Sequence, residues 1–218
     1  MTQPTPVVVR AQKLTHRYGR RATGVDDLDF EFTGPGTVAV AGPNGSGKST
    51  LLRIVAGLLR PTGGSTSVCV AGQEHPPALR RGILGLATPE LSFYEEFTAA
   101  ENLVFAAEAR GLPEPAHAAG AALARVGLET RAADRVAAFS SGMKQRLRLA
   151  FALLHEPPIL LLDEPGSHLD DTGRDAVREV VAAHARQGLV LLATNDPQEI
   201  QLADRRLELH GHRLGDPS

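Results

Sequence analysis

The feature that most constrains the fold is a glycine-rich loop between an apolar segment and an amphipathic segment. The loop consists of Gly42, Pro43, Asn44, Gly45, Ser46, Gly47, Lys48, Ser49 and Thr50. Residues 37–41, just before it, form a short apolar run typical of a buried parallel strand. After it, apolar residues recur at helical spacing up to Leu58, and Gly57 stands where a helix can end. The order of strand, loop and helix predicts a phosphate-binding turn in an α/β fold.

Each part of this loop has a physical reason. Gly42 and Gly47 allow backbone amides to turn inward and wrap phosphates without Cβ clashes. A helix that begins near Lys48 adds the positive end of its dipole. The Lys48 ammonium is a mobile charge for β- and γ-phosphates, and the Ser49 hydroxyl can bind Mg²⁺. We therefore expect this loop to bind a nucleoside triphosphate with Mg²⁺.

A pair of carboxylates follows a second apolar run. Residues 159–162 read as a buried strand, and Asp163 and Glu164 come directly after it. The carboxyl end of a parallel strand is where such sheets bind ligands. Asp163 is expected to hold Mg²⁺ through water, and Glu164 to orient or deprotonate the attacking water. The alternative is a solvated acidic turn ended by Pro165. Together, the two motifs indicate a P-loop nucleoside triphosphatase.

The rest of the chain predicts strands alternating with helices. Strands are expected at residues 7–9, 28–32, 68–70, 82–86 and 189–193, and helices at 98–135 with a break at Pro113 and Pro115, at 146–155 and at 175–186. This order predicts a single α/β domain over 1–218, with a mostly parallel sheet and a small N-terminal antiparallel β subdomain. Residues 7–90 and 156–210 would form the β subdomain and nucleotide-binding core, and 91–155 an inserted helical subdomain. Frayed ends are expected up to residue 6 and over 211–218.

Composition limits the classes of partner. The 218 residues carry a net charge of −2 and no basic block, so nucleic-acid binding is not expected. Cys69 is the single cysteine, so no intrachain disulfide is possible. No signal-peptide pattern opens the chain and no apolar run approaches 18 residues, so any work at a membrane is expected to go through a partner.

Three further motifs narrow the class. The segment Phe139-Ser140-Ser141-Gly142-Met143 resembles the signature of ABC ATPases, usually Leu-Ser-Gly-Gly-Gln. Residues 166–170 resemble the D-loop of that family, and residues 16–19 its A-loop, with Tyr18 placed to stack on adenine. Five motifs in order over residues 8–209 imply ATP as ligand. They also imply a second ATPase subunit, whose bound ATP would present its γ-phosphate to Ser140, Ser141 and Gly142. A polytopic membrane permease is implied as a further partner.

Two positions depart from the family pattern. Where the Q-loop normally carries a glutamine, the nearest candidate is Glu90, which adds negative charge but can still reach Mg²⁺. Where the family has its switch histidine, this chain has Asn195, which donates hydrogen bonds but cannot become cationic. We therefore expect ATP hydrolysis that is intact but slow, with Lys48, Glu164 and Asn195 as the catalytic side chains. The alternative is a degenerate site that only binds ATP.

The resemblance implies the ATPase subunit of a transporter, cytoplasmic and peripheral on the inner face of the cell membrane through its permease. Residues 91–135 would form the docking surface, where Phe93, Tyr94 and Phe97 are either docking aromatics or ordinary core. Residues 98–103 carry a looser likeness to ATPases of haem export and cytochrome c maturation. The alternatives are a soluble ABC ATPase of DNA repair, chromosome structure or translation, the weak half of a heterodimer, and an unrelated P-loop kinase or GTPase.

Overall fold

The computed structural model describes residues 5–19 and 22–210. The strands are β1 Val7–Tyr18, β2 Ala22–Gly34, β3 Gly36–Ala41, β4 Gly63–Val70, β5 Gln73–Glu74, β6 Leu84–Ala87, β7 Ile159–Asp163, β8 Leu189–Thr194 and β9 Arg205–Glu208. The α-helices are α1 Lys48–Val55, α2 Ala99–Ala109, α3 Pro115–Arg125, α4 Ser141–Leu153, α5 Asp171–His184 and α6 Pro197–Ile200.

The centre of the fold is a parallel sheet in the order β6-β7-β8-β3-β9. Every residue of β7 and β8 is buried. Leu160 and Leu162 of β7 belong to one apolar core, whereas Leu161 belongs to another on the opposite face. Because both faces are covered, residues 159–162 of β7 and 189–193 of β8 are continuously apolar rather than alternating. The predicted α/β fold class with a mostly parallel sheet is confirmed.

A second, antiparallel sheet has the order β2-β1-β4-β5. Its buried side chains share one core with α1 and with one face of the parallel sheet. The strands are much longer than the predicted residues 7–9 and 28–32. The register of β1 shifts between Ala11 and Leu14, and Lys13 has φ 46°. Such irregularities interrupt the period-two pattern by which a strand is recognised in a sequence.

The other core packs α2, α3, α4 and α5 against the opposite face of the parallel sheet. Helix α2 begins with a capping box, in which the Glu101 amide donates to Thr98 Oγ1 at 3.1 Å and the Thr98 amide donates to Glu101 Oε2 at 2.7 Å. The prediction of helix up to residue 135 is wrong beyond Arg125. Gly127 there has φ 65°, and only short 3₁₀ turns follow. Left-handed backbone cannot continue a right-handed helix.

Several predicted boundaries are corrected for similar local reasons. Helix α4 begins at Ser141, five residues before the prediction, because Ser140 caps it. Helix α5 begins four residues early, since Asp170 Oδ1 accepts from the Gly173 amide at 2.8 Å. The strand expected from residue 82 begins at Leu84, after a 3₁₀ turn over Pro77–Gly82.

Of the ends expected to be frayed, residues 1–4 and 211–218 lie outside the described residues. Within residues 5–19 and 22–210, no helix has the length and apolar character needed to cross a bilayer.

Candidate nucleotide-binding site

The glycine-rich loop connects the buried strand β3 to α1, as the sequence predicts. Gly47 precedes the helix with φ 100°, and a Cβ there would overlap the carbonyl oxygen of Gly24 in β2. Gly42 has φ 152°, and a Cβ on it would overlap the carbonyl oxygen of Leu209. These two positions therefore require glycine for both backbone conformation and space. The loop therefore lies between Gly24 of β2 and Leu209, which follows β9.

Lys48 is the first residue of α1 and is buried. Its Nζ donates to the carbonyl oxygens of Gly42 at 2.8 Å and of Pro43 at 3.2 Å. An ammonium has three donors, so a third remains for a ligand oxygen. The charge thus lies at the loop and next to the positive end of a helix, an arrangement suited to phosphate.

A cleft of about 360 Å³ opens above the loop. It is lined by Tyr18, Gly24, Asn44, Gly45, Gly47, Lys48, Ser49, Thr50 and Glu164. Tyr18 is half-exposed, and its hydroxyl is hydrogen-bonded to Thr50 Oγ1 at 3.1 Å. The His16 ring meets it edge-on at 4.6 Å between centroids. An anchored, half-exposed ring beside a phosphate-binding loop suits a flat base.

The two carboxylates predicted to act together lie at the carboxyl end of β7. Asp163 is buried, and burial raises its pKa, opposed by a hydrogen bond with Ser49 and reinforced by the Glu164 charge. Its Oδ1 has no hydrogen-bond partner. A buried carboxylate oxygen without a partner, beside a hydroxyl at the mouth of a phosphate cleft, is the ligand set that a hard cation such as Mg²⁺ accepts. Glu164, unlike Asp163, lines the cleft itself.

Glu90 is near Asp163 but is already paired. Its carboxylate forms an ion pair with Arg53 on α1. Burial raises the Glu90 pKa, but a backbone hydrogen bond, the Arg53 charge and the Thr88 hydroxyl outweigh burial, and the pKa is lowered. The Arg53 cation therefore offsets the negative charge that Glu90 brings to the site. Sequence reasoning missed Arg53, because nothing in a helical pattern marks a partner 37 residues away.

Asn195 directly follows β8, the strand between β7 and β3. Its Nδ2 donates to Asn44 Oδ1 in the glycine loop at 2.9 Å. The structure therefore brings the switch position to the phosphate-binding loop, as the sequence predicts. Part of its donor capacity is committed to a neighbouring amide.

The signature residues lie elsewhere. Ser140 caps α4, and its Oγ accepts from the Met143 amide at 3.2 Å. Ser140 and Ser141 are exposed and Gly142 is half-buried, and none of the three lines the cleft. Gly142 lies against Leu169 and the carbonyl of His168. Within one chain, the signature and the phosphate loop are therefore separate surfaces.

A glycine-rich loop whose carbonyls bind a buried lysine lies at the same sheet edge as two carboxylates. This combination defines the class of P-loop nucleoside triphosphatases. Within that class, the chain belongs to the ABC transporter family, whose model matches residues 25–167. The predicted resemblance is confirmed, and the alternative of an unrelated kinase or GTPase is wrong. Membership makes the chain an ABC ATPase domain, for which ATP is the ligand.

Three similar proteins illustrate the match. The uncharacterized ABC transporter ATP-binding protein YxlF of Bacillus subtilis is 39% identical over 178 residues, covering 81% of this chain and 59% of the relative. The linearmycin resistance ATP-binding protein LnrL of the same organism is 32% identical, covering 88% and 62%. The dimeric structure of MJ0796, a bacterial ABC transporter cassette, superposes with a TM-score of 0.79 at 25% identity, covering 93% and 94%. The chain thus spans about three fifths of the two curated relatives.

Proposed function

We propose that this chain is the ATP-binding and ATP-hydrolysing subunit of an ABC transporter and powers transport through separate membrane subunits. The observation that carries the proposal is the cleft, in which Lys48 and Ser49 at the glycine loop face Glu164. The loop amides and Lys48 bind the phosphates, while Tyr18 stacks on adenine. Glu164 orients or deprotonates the attacking water.

Mg²⁺ is part of this proposal. Ser49 and Asp163 would hold it, because the Ser49 hydroxyl hydrogen-bonds to the Asp163 carboxylate, whose Oδ1 has no hydrogen-bond partner. Bound there, the ion would neutralise charge on the β- and γ-phosphates. Glu90 would join it only after leaving Arg53. Replacing Asp163 with Asn is expected to weaken Mg²⁺-dependent ATP binding while leaving binding without Mg²⁺ almost unchanged.

Turnover is proposed to be slow. Asn195 contacts Asn44, so a γ-phosphate would have to compete for part of its donor capacity, and an amide brings no positive charge. The test is ATP hydrolysis by the purified chain beside its Glu164→Gln variant. A wild-type rate above that of the variant supports hydrolysis, and equal background rates reduce the function to ATP binding. A gain for Asn195→His would support the assignment of the slow step to Asn195.

Two copies, or two related chains, are proposed to sandwich ATP. The signature Ser140 does not line the cleft of its own chain, so it is available to the nucleotide of a second subunit. A helix N-terminus with a serine hydroxyl suits a γ-phosphate. The similar cassette MJ0796 is described as dimeric. ATP-dependent dimerisation of Glu164→Gln that disappears in Ser140→Arg would support this arrangement, and dimerisation unchanged by the second substitution would contradict it.

The permease is proposed to dock beside α2, with residues 91–155 acting as the helical signature subdomain and residues 7–90 and 156–210 as the nucleotide-binding core. Tyr94, Phe97 and Phe105 are 55%, 45% and 54% exposed. The ring centroid of Tyr94 lies 5.5 Å from that of Phe97 and 6.0 Å from that of Phe105. Phe93 instead packs against the core. Exposed, clustered aromatics are typical of protein interfaces.

Through that contact the chain would lie at the cytoplasmic face of the membrane. Capture of a polytopic protein from membranes with tagged wild-type chain, lost with Tyr94→Ala, would support this placement. Copurification with ribosomes or DNA would favour the soluble ATPase of translation or DNA repair instead. The likeness to ATPases of haem export and cytochrome c maturation stays a prediction.

A further inference from the structure

The backbone turn after β7 holds Glu164 in an uncommon conformation. Glu164 has φ 47°, in the left-handed region that residues with a Cβ rarely adopt. Its amide donates to the Ala193 carbonyl of β8 at 2.8 Å. A conformation of this kind persists only where the surroundings over-determine it. The direction of the Glu164 side chain therefore depends on the groups that hold the turn over residues 164–166.

Gln145 of α4 holds the carbonyl side of this turn. Its Nε2 donates to the carbonyl oxygens of Glu164 at 3.3 Å and of Pro165 at 3.2 Å. The residue is only 6% exposed, so these carbonyls have little access to competing water. Removing the side-chain amide would leave the Pro165 carbonyl short of a donor in a buried place, whereas the Glu164 carbonyl would keep the amide and Oγ of Ser167, at 3.2 and 2.9 Å.

Glu199 of α6 holds the amide side. Its Oε1 accepts from the Gly166 amide at 2.7 Å, and the carboxylate also hydrogen-bonds to Thr194. Glu199 is 9% exposed. A side chain at Gly166 would overlap Oε1, so glycine permits this close approach. Glu199 lies four residues after Asn195, whose side chain contacts the glycine loop.

Gln145 is in turn tied to the segment after Glu90. Its Oε1 accepts from Arg148 Nη1 at 2.9 Å, and Arg148 Nε donates to the Leu91 carbonyl at 2.8 Å. Both ends of the Gln145 amide are therefore committed, one to the turn of Glu164 and one through Arg148 to Leu91. A shift of Leu91 relative to β7 would strain this chain of hydrogen bonds.

We propose that Gln145 is a positioning residue for Glu164, that it links the orientation of Glu164 to Leu91 through Arg148, and that Glu199 is the second anchor of the same turn. The proposal rests on the proposed ATP hydrolysis. It assigns a role in the chemical step to the helix that follows the signature, within one chain. Nucleotide binding depends on other residues and is independent of this turn.

The test compares Gln145→Met with wild type, using the full chain. Methionine keeps the length of the side chain but donates no hydrogen bond. The expected result is a fall in kcat of about 10-fold or more, because small displacements of a catalytic group cost up to about 100-fold. The KM for ATP and the Kd for a fluorescent ATP analogue are expected to stay within about twofold, since the loop is untouched.

Arg146→Met is the matched control. Arg146 is the next residue on α4 and also donates to two carbonyls, of Val126 at 3.2 Å and of Gly127 at 3.1 Å, but it does not reach the turn. The kcat of the Arg146→Met variant is expected to stay within about twofold of wild type, even if the variant is less stable. An equal loss of kcat in both variants, or an unchanged kcat in Gln145→Met, would overturn the proposal.

Two further readouts do not depend on the stability of Gln145→Met. In Gln145→Glu, only the protonated carboxyl can donate to the carbonyls, so its kcat relative to wild type should rise as pH falls from about 8 to about 6. Glu199→Gln keeps an acceptor for the Gly166 amide and should retain most of the kcat that Glu199→Met loses. A ratio that does not vary with pH, or equal losses in the two Glu199 variants, contradicts the inference.

A double-mutant cycle tests the link through Arg148. If Arg148 acts through Gln145, the double variant Gln145→Met/Arg148→Met should have the same kcat as Gln145→Met alone. Multiplicative losses would refute the link to Leu91. Failure of the proposed function has a different signature, because wild type itself would then match the background of Glu164→Gln.

Discussion

The contribution of buried Arg80 to the stability of the fold around α1 can be tested quantitatively. The residue is only 1% exposed. It donates to the carbonyls of Ile54 at 3.4 Å and Val55 at 3.1 Å, which end α1, and to those of Thr66 at 2.8 Å and His75 at 3.2 Å. Helix C-terminal carbonyls lack intrahelical partners, so this buried cation, together with the Gly57 amide that donates to Ile54, satisfies the end of the helix whose beginning forms the phosphate loop.

Arg80→Met should therefore be strongly destabilising. Removing one partner from a buried charged network costs about 3–5 kcal/mol, whereas release from burying the guanidinium returns part of that cost. Burial lowers the Arg80 pKa, with the nearby Glu74 opposing that shift, which is consistent with such a penalty. We expect a net loss of about 3 kcal/mol, and a fall in Tm of roughly 6–12 °C for a chain of this size.

The assay is chemical and thermal unfolding of the nucleotide-free chain followed by circular dichroism. The exposed neighbour Arg81→Met is the control and should stay within about 0.5 kcal/mol of wild type. Arg80→Lys should fall between the two, because one ammonium cannot reach acceptors on α1 and β4 at once. A loss below about 1 kcal/mol for Arg80→Met would show that these hydrogen bonds add little beyond what water supplies, and would refute the reasoning.

Three further outcomes are expected. Glu90→Gln should leave Arg53 without its ion-pair partner yet change stability by less than about 1 kcal/mol in unfolding assays, since the pair is partly exposed; a larger change would show a structural role. Phe105→Ala should reduce membrane capture of the chain without changing its ATPase rate, because the ring is exposed on α2 and away from the cleft; a changed rate would place it in the site. Burial, with Arg125 adding to it, lowers the pKa of His184 from 6.5 to about 4. The folded chain therefore takes up this proton less readily than the unfolded chain, so stability should be full above about pH 6.5 and fall by roughly 3 kcal/mol towards pH 4, a fall that His184→Gln should reduce in pH-dependent melts.

Sequence alone was sufficient wherever the signal was local. The glycine loop, Lys48 and the Asp163-Glu164 pair were predicted because each lies within a few residues of a strand or helix with clear periodicity. The apolar runs 159–162 of β7 and 189–193 of β8 were equally predictable, since strands covered on both faces are apolar along most of their length.

Contacts between residues far apart in the sequence could not be predicted. The contact between Arg53 and Glu90 spans 37 residues, and that between Gly166 and Glu199 spans 33. Gln145 looked like one more residue after the signature, because its two carbonyl partners carry no side-chain pattern. Backbone acceptors are uniform along any chain, so only the fold reveals which ones a polar side chain meets.

The pair of amides formed by Asn195 and Asn44 has a consequence for the conditions under which the chain works. Neither side chain gains or loses a proton in the physiological range. A histidine at position 195 would change its charge on acidification and alter the field at the phosphate loop. With asparagine, this contact stays chemically constant while the surroundings acidify. We therefore expect mild acidification to leave the charge at this contact unchanged, even though protonation of His184 destabilises the fold.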